Sequence, residues 1–251
     1  MSDATSGVRV LRVAGYCSLV LYCALAILFW NNFVSTPTRL DDAAVFASAA
    51  GLVILYFYGS KYVRRCKAGL IVAFAISFAI AGFLSVPFDS TDVFFYMATG
   101  WGQAHYSNNP YSRSLRDITD IVDDPLVQNE WMARNRNPWL DLPLPYGFLF
   151  ALISKAVAWL GHGSFWATLA LFTLLNLITH AATAVLLWKA ARFLPGDNAN
   201  VVLYLYSWNP FVVLQYLANV HNDILVAFLV VLAAYLLLSG RPLWTDRKSV
   251  V

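Results

Sequence analysis

The chain has 251 residues, of which 59% are hydrophobic, 16% aromatic and only 12% charged, and its net charge is +3. Soluble domains carry about 25% charged residues, so this composition excludes an ordinary soluble protein. The basic residues lie at the ends of apolar runs and form no single stripe, which argues against nucleic acid as a partner. The three cysteines provide no disulfide framework.

Long apolar runs follow one another along the chain. Runs of about 18 to 20 apolar residues are typical of transmembrane helices, whereas barrel strands alternate over about ten residues. We therefore predict an all-α, polytopic transmembrane helix bundle with about six or seven membrane segments. The apolar runs cover residues 13–30, 43–59, 68–86, 146–160, 164–188, 201–220 with a break at Asn209-Pro210, and 224–238.

The basic residues predict the sidedness of these segments. Short loops rich in Lys and Arg stay cytoplasmic, and the densest basic cluster lies at 60–67. The N-terminus is then cytoplasmic and the polar insert at 87–145 is extracytoplasmic, in a bacterial cytoplasmic membrane. Segment 146–160 is only about 22 Å long as a helix and contains Lys155. It either spans the membrane or is re-entrant or interfacial, and the charges of the neighbouring links favour the second alternative.

Two acids open the polar insert, which we expect to be ordered and to contain short surface helices. Asp89 and Asp92 are three residues apart, a helical spacing that would put both carboxylates on one face. They could hold a divalent cation, or one could act as a general base while the other tunes it. Alternatively, they only mark the water-facing end of a helix.

Aromatic residues and arginines accompany these acids. The aromatic residues indicate either a belt at headgroup depth or a surface that contacts sugar or lipid. The arginines indicate either a phosphate clamp or ion pairs with acids of the insert such as Asp117 and Asp124. The two groups are Tyr96, Trp101, Tyr106, Tyr111, Trp131, Trp139 and Tyr146, and Arg113, Arg116, Arg134 and Arg136.

A second polar element lies near the end of the chain. A helix break such as Asn209-Pro210 is tolerated in a membrane where it lines a cavity or is repaired by neighbours. The residues His221-Asn222-Asp223 that follow either belong to a functional site or form a connecting turn. Asn176 and His180 lie within an apolar run, and we predict that they hydrogen-bond to neighbouring helices.

The string DVFFYMATGWGQAHYSNNPY at 92–111 resembles the first extracytoplasmic loop of bacterial polytopic glycosyltransferases of the GT-C class. The closest resemblance is to the polyprenol-phosphate-mannose-dependent mannosyltransferases. LPYGFLF at 144–150 and the stretch from SWNP to the end of the last apolar run, 207–238, are similar to later segments of the same class and come in the same order.

The resemblance implies a membrane glycosyltransferase that moves a sugar, mannose in the closest members, from a polyprenyl-phosphate donor to a lipid or glycan acceptor on the outer face. It implies that Asp92 is the base that deprotonates the acceptor, with Asp89 as a second acid. No cofactor is required, although a divalent cation stays an alternative. The substrate-binding residues expected are Tyr96, Asn109, Tyr111, Arg113, Arg116, Tyr146, His221, Asn222 and Asp223.

The chain is shorter than is usual for this class. We therefore expect residues 1–251 to form one incomplete GT-C-like domain, with 87–145 as its catalytic-type loop and with membrane lipid around it. The alternative is a truncated, non-catalytic membrane scaffold or partner subunit derived from such an enzyme. A small transporter is a third hypothesis, disfavoured because few polar residues lie in the middle of the apolar runs.

Overall fold

The computed structural model describes residues 2–118, 121, 123–129, 141–196 and 198–240, and the regular secondary structure in these residues is helical. Single 3-10 turns occur at Val63–Arg65, Leu115–Asp117 and Ala191–Phe193. The longer helices are α1 (Ser2–Val34), α2 (Arg39–Ser60), α3 (Ala68–Phe83), α4 (Asp92–His105), α5 (Phe148–Leu160), α6 (Phe165–Ala190), α7 (Ala199–Ser207), a π-helix (Val212–Ala218) and α8 (Asp223–Leu238).

Most of each apolar run predicted from the sequence lies in these helices. The predicted break at Asn209-Pro210 separates α7 from the π-helix, and the two are bent by 55°. The predicted helix in the polar insert is α4. The structure therefore confirms the all-α prediction for the described residues.

Three helical stretches of the described chain are long and apolar enough to cross a membrane: Ser6–Val34, Arg39–Ser60 and Phe165–Phe193. The bent pair would make a fourth if it counts as one span, whereas α3, α5 and α8 are shorter apolar helices. The predicted number of six or seven membrane segments is thus not confirmed. Exposed apolar side chains on α2, such as Phe46 and Phe57, suit a surface that contacts lipid.

The chain divides into two compact units. The first comprises Met1–Val86, Asn176–Ala218 and Asp223–Val251, and the second comprises Pro87–Leu175 and Asn219–Asn222. In the first unit, α1 packs against α2 and α3. Its core contains Trp208, whose ring contacts Phe74 and Phe78 at centroid distances of 5.3 and 5.0 Å and whose Nε1 donates to the Ile71 carbonyl.

Asn176 and His180, which we predicted to hydrogen-bond to neighbouring helices, behave differently. Asn176 Nδ2 donates to the Tyr216 carbonyl of the π-helix at 2.8 Å, which confirms the predicted hydrogen bond between helices. His180 is buried and stacks on Tyr206 with ring centroids 5.0 Å apart. Its Nδ1 has no hydrogen-bond partner among the described residues, so the same prediction is not confirmed for that atom.

In the second unit, α4 crosses α5 at very close range. Gly100 of α4 lies against the Ser154 backbone of α5, where a Cβ atom at Gly100 would overlap the Ser154 carbonyl oxygen. At the end of α4, the ring of Trp101 covers Gly163, whose φ is +73°. Glycine at position 100 therefore permits the α4–α5 contact on which the position of Asp92, the first residue of α4, depends.

Gly100→Ala should lower the stability of the protein by about 1–3 kcal/mol, because the added methyl group forces the two backbones apart. Thermal unfolding of the detergent-solubilised protein measures this as a lower Tm. The matched control is Gly69→Ala in α3, where nothing lies within 4 Å of the new Cβ and the substitution should be neutral or slightly stabilising. Equal Tm values for the two variants would contradict the tight α4–α5 crossing.

Candidate active site

Asp92 begins α4 and is only partly exposed, with 26% of its side chain accessible. Its backbone N–H donates to Ser90 Oγ at 3.2 Å, which fixes the chain where the helix begins. A carboxylate in the first turn of a helix is favoured by the helix dipole. The sequence thus places an anion at a defined point on the second unit.

Three side chains converge on one oxygen of this carboxylate. Tyr96 Oη and Tyr146 Oη each lie 3.5 Å from Asp92 Oδ2, and His221 Nδ1 also lies 3.5 Å from it. Tyr96 is one helical turn after Asp92, so the two share a face of α4. Oδ2 is therefore the meeting point of three segments that are distant in sequence, which carry Tyr96, Tyr146 and His221.

All three distances are at the long end of the hydrogen-bond range. The three contacts to Oδ2 are therefore weak ones. Catalytic hydrogen bonds are often long in unliganded proteins and shorten when substrate binds. The arrangement is that of a carboxylate whose position is set by three surrounding side chains.

Tyr96 links Asp92 to a further residue of the predicted site. Its Oη lies 3.2 Å from Asn222 Oδ1 and 3.4 Å from Tyr146 Oη. A phenol has one proton, and the shortest of its contacts is with Asn222. Burial raises the pKa of Tyr96 above its ordinary value, so it stays a neutral donor, and its ring packs edge-on against Phe150 with centroids 4.8 Å apart.

The charge state of Asp92 follows from these partners. The hydrogen bond from His221 holds the pKa of the Asp92 carboxyl below its ordinary value, and partial burial acts in the opposite direction. Tyr96 and Tyr146 contribute smaller lowering effects. Asp92 is therefore an ionised carboxylate at neutral pH, able to accept a proton.

Asp89 does not share this position. It lies outside α4, with an exposed side chain that makes no contact with Asp92 in the described part of the chain. The helical spacing expected for Asp89 and Asp92 is therefore wrong. The physical reason is that the backbone N–H groups of Phe88 and Asp89 donate to Asn219 Oδ1 at 3.0 and 3.1 Å, so that they do not take part in a helix. No group of three or more His, Cys, Asp or Glu suited to a metal ion occurs among the described residues.

The turn Asn109-Pro110-Tyr111 supports Tyr146. Asn109 Oδ1 accepts from the Tyr111 N–H at 3.1 Å, a side-chain turn typical of asparagine. The Pro110 carbonyl accepts from the Leu144 N–H at 2.7 Å, and Tyr111 Oη donates to the Tyr146 carbonyl at 3.2 Å. The motif thus positions the segment that carries Tyr146, and direct substrate binding by Asn109 or Tyr111 stays a prediction.

The remaining predicted binding residues make other contacts or are exposed. Arg116 forms an exposed ion pair with Asp141. Arg113 is exposed and lines a polar cavity of about 490 Å³ together with Asn108, Asn109 and Asp117, among others. Asp223 is exposed at the start of α8 and belongs to the other unit. The residues Trp131, Arg134, Arg136 and Trp139 lie outside the described residues.

Asp124, one of the acids named as an alternative ion-pair partner for the arginines, bonds aromatic side chains instead. It is buried, and its Oδ2 accepts from Trp101 Nε1 at 2.9 Å and from Tyr106 Oη at 2.8 Å. Asp117 similarly bonds Ser114 and caps a 3-10 turn. Trp101 and Tyr106 therefore hold α4 to the following loop, and neither a membrane belt nor a sugar surface is needed to explain them.

The long apolar helices indicate an integral membrane protein, and its second unit holds a partly buried carboxylate with aromatic and histidine partners. A family profile described as the alpha-(1->6)-mannopyranosyltransferase N-terminal domain (MptA_B family) matches residues 6–247. The chain belongs to this family, which confirms the resemblance to mannosyltransferases and indicates glycosyltransferase activity. No curated protein and no solved structure gave a significant match.

Asp124→Ala should destabilise the protein by about 1.5–3 kcal/mol, because it removes a buried carboxyl acceptor from two part-buried donors, Trp101 Nε1 and Tyr106 Oη. Thermal unfolding followed by tryptophan fluorescence measures the loss. The neighbouring Asp123 is exposed, so Asp123→Ala should change the stability by no more than about 0.5 kcal/mol. A similar small effect for both substitutions would show that Asp124 does not support α4.

Proposed function

We propose that the chain carries the acceptor-activating centre of a glycosyltransferase that moves mannose from a polyprenyl-phosphate donor to a hydroxyl group of a lipid or glycan acceptor. The observation that carries this proposal is the convergence of three polar side chains, those of Tyr96, Tyr146 and His221, each with an atom 3.5 Å from Asp92 Oδ2. Family membership supports mannose as the transferred sugar. The resemblance of 92–111 to the first loop of the GT-C class supports a lipid-phosphate sugar as the donor.

The reaction needs one proton acceptor. The acceptor oxygen attacks the anomeric carbon and forms the new C–O bond, while its proton passes to Asp92 Oδ2. The bond between the anomeric carbon and the phosphate oxygen breaks, and its electron pair leaves with the lipid phosphate. When the base and the leaving group lie on opposite faces of the sugar, the configuration at the anomeric carbon is inverted.

Asp92 suits this role although its pKa is low. A carboxylate that is already ionised needs no prior deprotonation, and the long contacts to Tyr96, Tyr146 and His221 leave Oδ2 able to accept a closer donor. The departing lipid phosphate is a stable anion, so it requires a positive charge more than a proton donor. We propose that Arg113 and Arg116, predicted from the sequence as substrate-binding residues, supply the positive charge that stabilises the departing phosphate.

We also propose on which side of the membrane the N-terminus and Asp92 lie. The basic cluster at 60–67 and the positive-inside rule support a cytoplasmic N-terminus and an outer-face position for Asp92 in a bacterial cytoplasmic membrane. Helix α5 has 13 residues, or about 20 Å, which is short for a span and supports an interfacial or re-entrant helix.

Asp92→Asn should lower the turnover number by about 10²–10⁴-fold, because the amide keeps the size of the side chain but cannot accept the proton. The assay is transfer of labelled mannose from a polyprenyl-phosphate donor in membranes. The matched control is Asp89→Asn, which should lose much less activity because the Asp89 side chain is exposed and outside the cluster.

The pH dependence tests the same assignment. Because the pKa of Asp92 is lowered in the folded protein, the carboxylate form persists as the pH falls and is lost only below the ordinary aspartate value of about 3.9. The acid limb of kcat/KM should lie there and should move to higher pH in His221→Leu. An Asp92→Asn protein with wild-type turnover would refute the assignment and favour the scaffold alternative.

A further inference from the structure

Asn219 is the most completely enclosed polar residue next to the candidate site, with a relative exposure of 0%. Its Oδ1 accepts two backbone hydrogen bonds, from the N–H groups of Phe88 and Asp89. These donors lie about 130 residues earlier in the chain and directly precede α4. One side-chain oxygen therefore fastens the segment that leads into Asp92 to the segment that leads into His221.

The residue after Asn219 has an unusual backbone conformation. Val220 is buried and has a φ of +59°, in the left-handed region that β-branched residues avoid. Such strain persists only where the surroundings over-determine the conformation, and it is concentrated at functional sites. Here the hydrogen bonds of Asn219 on one side, and the contacts of His221 and Asn222 on the other, are available to hold it.

Both ends of the segment 219–222 contact α4 or the residues just before it. Asn219 bonds the backbone before α4, while His221 contacts Asp92 and Asn222 contacts Tyr96 on α4 itself. Val220, the left-handed residue between them, changes the direction of the chain. The contacts of Asn219, His221 and Asn222 with α4 and the segment before it are therefore all made within four residues. Loss of the first contact would release the segment that presents the other two.

We propose that Asn219 is a positioning residue, which fixes His221 and Asn222 against α4 and thereby sets the geometry around the Asp92 carboxylate. The proposal rests on the proposed function, since its effect is read in the transfer reaction. It goes beyond that function because it assigns Asn219 a role through its bonds to the backbone before α4, and not as a group that takes part in the transfer.

The test compares Asn219→Leu with Asn219→Asp and with Asn176→Leu. Leucine removes the acceptor at similar volume, aspartate keeps an oxygen at the Oδ1 position, and Asn176 is an equally buried asparagine that bonds Tyr216 elsewhere in the chain. Asn219→Leu should lower kcat by about 10- to 100-fold, as expected for misplaced groups. Asn219→Asp should recover much of that loss, whereas Asn176→Leu should leave kcat close to wild type.

A coupling measurement separates positioning from general destabilisation. If Asn219 acts through His221, then Asn219→Leu should reduce kcat little further in a His221→Leu background. All kcat values refer to folded protein, quantified by size-exclusion chromatography and thermal unfolding. If Asn219→Leu does not fold, Asn219→Gln replaces it, because its amide oxygen is displaced by one methylene group.

Independent, multiplying losses for the two sites would overturn the proposal, as would wild-type turnover in Asn219→Leu or failure of aspartate to recover activity. Those results leave the proposed function intact. A wild-type protein that transfers no mannose from the polyprenyl-phosphate donor would overturn the proposed function and this inference together.

Discussion

The site depends on one electrostatic constraint: a partly buried carboxylate, Asp92, must stay ionised beside aromatic rings. Burial alone would raise its pKa, and the hydrogen bond from His221, with those from Tyr96 and Tyr146, more than offsets that effect. Each of these partners comes from a different segment of the second unit. The geometry of that unit therefore keeps the pKa of the Asp92 carboxyl below its ordinary value.

The supporting structure follows from this requirement. Gly100 permits α4 to lie against α5, and the turn at Asn109–Tyr111 holds the chain that carries Tyr146. Asp124 fastens the far end of α4 through Trp101 and Tyr106. These interactions are structural, and together they determine which atoms can approach Asp92 Oδ2.

Local properties of the sequence predicted the helices and Asp92, because run length, charge boundaries and the string 92–111 are visible without tertiary structure. Contacts between distant residues could not be predicted in this way. The bond of Asn219 to Phe88 and Asp89 spans about 130 residues, and it explains why the helical spacing expected for Asp89 was wrong. The sequence of the turn Asn109-Pro110-Tyr111 was recognised. Its support of Tyr146 could not be predicted, because it depends on a hydrogen bond from Tyr111 to the Tyr146 carbonyl, 35 residues later in the chain.

The most direct test of the central claim is a double-mutant cycle between Asp92→Asn and His221→Leu, measured as kcat for mannosyl transfer. If Asp92 is the base and His221 serves it, then His221→Leu should lower kcat in the wild-type background and have almost no effect once Asp92 is asparagine. Losses that multiply in the double variant would contradict the account, because His221 would then act on the substrate independently of Asp92.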